Sequence, residues 1–165
     1  MIVLAALCSA CASTGAVPRP FPTPGGSGGS TGSIPHAPLV NKGFDGYALV
    51  GTALSLRGAP YRNGGADPKG FDCSGFTQYV FAQYGVALPR AVREQFNQGK
   101  KVATNDLAPG DLIFFSTTEP GPSHVGIAVG GDEFVHAPSS TGVVRVERIG
   151  SSYWSPRYLG ARRVN

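Results

Sequence analysis

Residues 124–136 read HVGIAVGGDEFVH, two runs that alternate around a glycine pair. Val125, Ile127 and Val129 fall on one parity and His124, Gly126 and Ala128 on the other, the period of two expected of a strand with one face in a core. EFVH, 133–136, supplies the returning strand. Loop length decides the faces. A two-residue loop at Gly130 and Gly131 pairs His136 with Val125 and points the two histidines to opposite sides. A three-residue loop, Gly130 to Asp132, pairs His136 with Gly126 and leaves His124 as a diagonal neighbour on the same side. A site shared by both histidines therefore requires the odd loop.

More strands surround this hairpin. PGDLIFF, 109–115, reads as a turn followed by a buried strand, and GVVRVERI, 142–149, and YLGARRV, 158–164, are further alternating segments. Upstream the spacing becomes helical. One helix is expected from Asp45, a candidate N-cap, to Gly58, with Tyr47, Val50, Ala53 and Leu54 inward. A second spans Cys73 to Tyr84 with Phe76, Val80 and Tyr84 as its stripe, and a third spans Ala91 to Gln98, stopped by Gly99. Helices first and an antiparallel sheet after make an α+β domain over 44–165.

The start of the chain is different in kind. Residues 18–38, PRPFPTPGGSGGSTGSIPHAP, hold Pro, Gly, Ser or Thr at 16 of 21 places, so a tether is expected over 12–43 and His36 is read as part of it. Residues 1–11 are apolar and end in CSAC, which fits the end of a signal segment. Ser9, Ala10 and Cys11 resemble a bacterial lipobox with Cys11 as the lipidated residue, although Cys8 stands where a leucine is usual and no basic residue precedes the apolar stretch. A plain cleaved signal is the other reading. The formal charge of +4 over 165 residues suits anionic polymers or acidic lipid surfaces, but no basic run or zinc-finger spacing points to nucleic acid.

Of three cysteines, only Cys73 lies in the domain, within FDCSGF, 71–76. An ordinary thiol is about 3% ionised at pH 7, so a nucleophile here needs help. A helix start and a nearby imidazole supply it, and a three-unit fall in pKa corresponds to roughly 4 kcal/mol, more than a helix end alone provides. His124 and His136 are the only domain histidines. With small residues on their face, they are expected to look toward a close-packed helix carrying Cys73. The competing readings are inert packing for the cysteine, satisfied core groups for the histidines, and a Cys, His, His zinc site.

Seven segments together resemble the NlpC and P-sixty family of papain-like cysteine peptidases: GAPYRNGG (58–65), FDCSGFTQYVF (71–81), GVALPR (85–90), LAPGDLIFF (107–115), SHVGIAVG (123–130), FVHAP (134–138) and YLGARRV (158–164). The resemblance implies a papain-like fold and hydrolysis of amide bonds in peptidoglycan stem peptides or crossbridges. It also implies Cys73 as nucleophile, His124 as general base and His136 as the group orienting it. Tyr61 matches a tyrosine beside the cysteine that supports the oxyanion or substrate, and Asp72 and Ser74 match flanking positions that contact substrate; Tyr61 as core and Asp72 as a helix cap are the plainer readings. No cofactor or metal is implied. The expected setting is the bacterial envelope, with a monomer held to a membrane through Cys11. A related amidase or acyltransferase and a non-catalytic envelope lipoprotein remain as alternatives.

Overall fold

The computed structural model describes residues 44–164; the signal segment, Cys8, Cys11, the tether and His36 lie outside them. The first helix, α1 (Gly46–Ser55), begins where Asp45 accepts hydrogen bonds from the N–H groups of Tyr47 and Ala48. Leu49, Val50 and Ala53 form its buried face, whereas Tyr47, expected inward, is exposed. Position 47 lies in the first turn, about 110° from the centre of that face.

A short hairpin follows, β1 (Ala66–Asp67) and β2 (Gly70–Phe71), and leads into α2 (Cys73–Ala82). Helix α2 ends two residues before the expected Tyr84, because Gln83, Tyr84 and Gly85 donate to carbonyls three residues back. Helix α3 (Val92–Gln95) is shorter than expected for the same reason: Asn97 and Gln98 turn onto the carbonyls of Glu94 and Gln95. The Tyr84 hydroxyl lies 2.7 Å from Thr52 Oγ1 and 2.6 Å from the Ala48 carbonyl oxygen, joining α2 to α1.

The remaining strands are β3 (Lys100–Val102), β4 (Leu112–Phe115), β5 (His124–Gly130), β6 (Glu133–His136), β7 (Arg145–Arg148) and β8 (Tyr158–Arg163). They form one antiparallel sheet in the order β3-β8-β4-β5-β6-β7. All four residues of β4 are buried, as a central strand covered on both faces demands. One face carries Leu112, Phe114, Val125, Ile127 and Val135 against α1 and α2. The other carries Ile113, Phe115, Ala128 and Phe134 against Ile149 and Trp154. Full burial of each such aromatic contributes roughly 1.5–3 kcal/mol, so both layers matter to stability. At the start of β4, buried Asp111 accepts two bonds from Arg163 of β8, each 2.8 Å, and one from the Ala108 N–H.

The hairpin at the centre of the sequence argument keeps the predicted parity by a different device. Ile127 pairs with Val135 and Ala128 with Phe134, a register that continued one step sets Gly126 against His136. Gly130 nevertheless pairs with Glu133 across Gly131 and Asp132, leaving Val129 as the extra residue of a β-bulge. The loop is thus two residues, with the odd residue inside the strand. Gly131 takes φ of 59°, the left-handed conformation such a turn needs.

The two histidines share a face, but it is not the face that α2 covers. Their side packs on Trp154 and Phe134, while α2 lies against Val125 and Ile127. The expectation that Gly126 makes room for a helix is overturned. A Cβ on Gly126 would lie 2.7 Å from the Phe134 ring and 3.1 Å from His136 Cβ, so the glycine makes room for the neighbouring strand.

Candidate active site

Asp72 ends the extended segment before α2 and caps the helix by accepting from the Gly75 N–H at 2.8 Å. Its other oxygen accepts from the Gly64 N–H at 2.9 Å and from the Arg90 guanidinium. Arg90 also donates to Ser74 Oγ at 2.6 Å, so Asp72 and Ser74 are held by one arginine. Fully buried Gln95 binds the carbonyls of Ser74 and Pro89 and accepts from Thr77 Oγ1, tying α3 to the beginning of α2. These seven hydrogen bonds hold the segment around Cys73 before any substrate arrives.

Cys73 is a free thiol, partly buried, at the first position of α2. The N–H groups of Val125, Ser74 and Cys73 itself point at the sulfur. Val125 follows His124 in β5, so the sulfur meets the end of the histidine strand at its backbone. Tyr61 bridges to Phe71 in parallel, beside Cys73 and Asp72. Partial burial raises its phenol pKa first, and negative charge on Cys73 and Asp72 raises it further.

His124 Nε2 and His136 Nδ1 are 2.7 Å apart, with the rings perpendicular. Two nitrogens that close cannot both bind one zinc ion, whose ~2.1 Å bonds in a tetrahedron hold ligands more than 3 Å apart. Among the described residues no group of three or more His, Cys, Asp or Glu is arranged to hold a metal. Trp154 stacks on His124 with centroids 5.3 Å apart and 27° between planes, and meets His136 edge-on. A small cavity of about 70 Å³ opens beside His124, Ser139, Tyr153 and Trp154.

Burial lowers the pKa of His124 to about 4, and that of His136 is lowered by burial, by His124 and by Arg145. Burial also raises the Cys73 thiol, with the Asp72 carboxylate adding to it and the three N–H groups opposing. The expected depression of the thiol is therefore corrected. At neutral pH each group is uncharged, because burial disfavours the charged form of both the thiol and the imidazole.

A family model described as NlpC/P60 family matches residues 58–163, well over half of the chain. This chain belongs to the NlpC/P60 family. Among its NlpC/P60 relatives is the murein DD-endopeptidase MepS/murein LD-carboxypeptidase of Escherichia coli K12, 37% identical over 169 residues that cover 99% of this chain and 89% of the relative. The probable peptidoglycan endopeptidase LytE of Bacillus subtilis 168 is 41% identical over 115 residues, 70% of this chain and 33% of that protein. A crystal structure of an NlpC/P60 family protein from Bacillus cereus superposes with a TM-score of 0.69 at 32% identity, covering 73% of this chain and 40% of that one.

The NlpC/P60 domain gathers Cys73, Tyr61, Asp72 and Ser74 at the start of α2 and pairs His124 with His136 on β5 and β6, the two groups meeting at the Val125 N–H that points at the Cys73 sulfur. Sequence reasoning missed Arg90, Gln95, Glu147 and Trp154. A polar residue on a short amphipathic helix, as Gln95 is, carries no sign that it is buried. Glu147 had a readable one: its parity in VRVERI places it on the face of Phe134, its partner across the β6–β7 pair, and so beside His136.

The buried histidines give this NlpC/P60 domain a pH signature. The unfolded chain binds a proton at each imidazole near pH 6.5, whereas folded His124 waits until about pH 4. Stability is therefore lost as pH falls through that window, by roughly 3 kcal/mol from His124 alone. Denaturant unfolding between pH 7 and 4 should show this slope, and His124→Gln should reduce it to the part that His136 contributes. A wild-type stability independent of pH there would contradict the neutral, buried assignment.

Proposed function

We propose that the protein is a peptidoglycan hydrolase of the cysteine-peptidase type, cutting amide bonds in stem peptides or crossbridges. The observation that carries this reading is the 2.7 Å contact between His136 of β6 and His124 of β5, whose next residue, Val125, meets the Cys73 sulfur through its N–H. His124 spends Nε2 on His136, which leaves Nδ1 as the atom to take the thiol proton. The Cys73 sulfur attacks the amide carbonyl as that proton moves, and N–H groups at the start of α2 stabilise the oxyanion. His124 then gives the proton to the leaving amine, and water cleaves the thioester with His124 as base. Both partners rest neutral, so the thiol proton must pass to His124 Nδ1 for the sulfur to attack. Tyr61, Asp72 and Ser74 supply the neighbouring substrate wall, with Arg90 bracing the last two.

The envelope is the setting this substrate requires. Lipidation at Cys11 would hold the domain to a membrane. Mass spectrometry of the mature N-terminus tests the anchor: a diacylated or triacylated Cys11 supports it, and an unmodified residue further along supports simple secretion.

Digestion of purified peptidoglycan, with products mapped by mass spectrometry, tests the activity. New peptide ends within stems or crossbridges are expected. Intact stems released from glycan would point to an amidase instead, and an unchanged wall in the presence of an iodoacetamide-reactive Cys73 would point to binding.

A further inference from the structure

His136 is fully buried, and its Nε2 has no hydrogen-bond partner, which is costly for a polar atom at that depth. Glu147 Oε2 lies 3.6 Å from it, across the β6–β7 pair. That carboxylate is itself pinned: Arg145 lies 3.0 Å from Oε1, and the Trp154 indole N–H donates to Oε2. Its far side borders a cavity of about 440 Å³ that Arg145, Arg148, Tyr153 and Trp154 also line. The groups facing His136 are thus His124 from β5, Arg145 and Glu147 from β7, and Trp154.

Only two arrangements of protons satisfy the 2.7 Å contact between neutral rings. In one, His124 Nε2–H donates to His136 Nδ1, so His124 Nδ1 is bare and His136 carries its proton on Nε2, aimed at Glu147. In the other, His136 Nδ1–H donates to His124 Nε2. His124 must then keep its proton on Nδ1, where it cannot accept the thiol's, and the His136 Nε2 lone pair faces a carboxylate. Electrostatics separates the two: a negative oxygen favours N–H and repels a lone pair.

We infer that Glu147 is a positioning residue that holds His136 in the Nε2–H tautomer and thereby keeps His124 Nδ1 free to act as base. The inference rests on the Cys73 and His124 mechanism proposed above. Glu147 touches no reacting atom; it acts through two rings. A modest side-chain rotation closes 3.6 Å to a hydrogen bond, and Arg145 and Trp154 limit how far the carboxylate drifts toward the cavity.

The full chain labelled with ¹⁵N-histidine tests this directly, since protonated and bare ring nitrogens resonate far apart. Wild-type His136 is expected to carry its proton on Nε2 with Nδ1 bare; a proton on Nδ1 overturns the inference without any variant. Glu147→Ala is expected to mix the tautomers and lower kcat roughly 10- to 100-fold with KM changed about twofold or less, the scale seen when outer partners of an active histidine are removed. Glu147→Gln, whose amide oxygen still accepts, should recover most of the rate and keep the Nε2–H signal. Wild-type kcat and spectrum in Glu147→Ala would overturn the inference. If that variant does not fold, the wild-type spectrum and the Gln variant decide. Failure of the parent reading looks different: Cys73→Ala would then digest peptidoglycan normally, whatever tautomer His136 shows.

Discussion

Cys73→Ala is expected to lower the rate of peptidoglycan digestion by about 10⁴-fold or more, while substrate still binds. Without the sulfur no thioester forms, and no other thiol lies among the described residues to replace it. Folding should barely change. The thiol is only partly buried and, with its pKa raised, it is uncharged at neutral pH, so the substitution removes neither a salt bridge nor a stabilising charge. A loss of about 1 kcal/mol or less is the expected scale. Muropeptide release measured beside a denaturant curve separates the two effects. Digestion at the wild-type rate would remove Cys73 from the chemistry, and a collapse in stability would recast it as a packing residue.

The second large effect is expected two positions further on. Gly75→Ala would place a Cβ 2.0 Å from the Gly65 carbonyl oxygen and 3.1 Å from Ala66 Cα. Alanine favours a helix interior by about 1 kcal/mol over glycine, which would make the change stabilising if space allowed. Here both neighbours are backbone, and the Gly65 carbonyl also accepts the Asp72 N–H at 3.0 Å, so neither side yields cheaply. Overpacking should win, at about 3 kcal/mol or more. The displaced helix also carries Cys73 away from β5, and a misplacement near 1 Å costs about 100-fold in rate. Gly51→Ala in α1 is the control: its Cβ would meet nothing within 4 Å, so a gain of roughly 0.5–1 kcal/mol is expected. Equal melting temperatures for the two variants would show that the contact with Gly65 does not constrain α2.

What could be read in advance follows from what alternation and capping encode. Asp45 and Asp72 sit at helix starts because a short carboxylate satisfies N–H groups there, and both signals are local. The parity of His124 and His136 was legible for the same reason, since a strand's faces are written in its own residues. The face that α2 would choose was not. Val125 and Ile127 on one side and Trp154 on the other are both apolar partners, and only the connection through the C-terminal segment decides which layer lies where. The bulge at Val129 was hidden as well, because a loop of three and a loop of two plus a bulge give the same parity. Glycine at 126 looked like space for a helix when it was space for Phe134 and His136. The thiol's raised pKa depends on burial from several elements at once, which no single stretch states.

Trp154 gives the arrangement an unplanned use. It is the chain's sole tryptophan and lies flat against His124. Indole emission is quenched by a protonated imidazole in contact with it, so the intrinsic fluorescence of the unlabelled protein becomes a gauge of that ring's charge. An acid titration should dim the signal as His124 gains its proton. The same signal, followed during turnover, would count the fraction of molecules caught with the proton on the base.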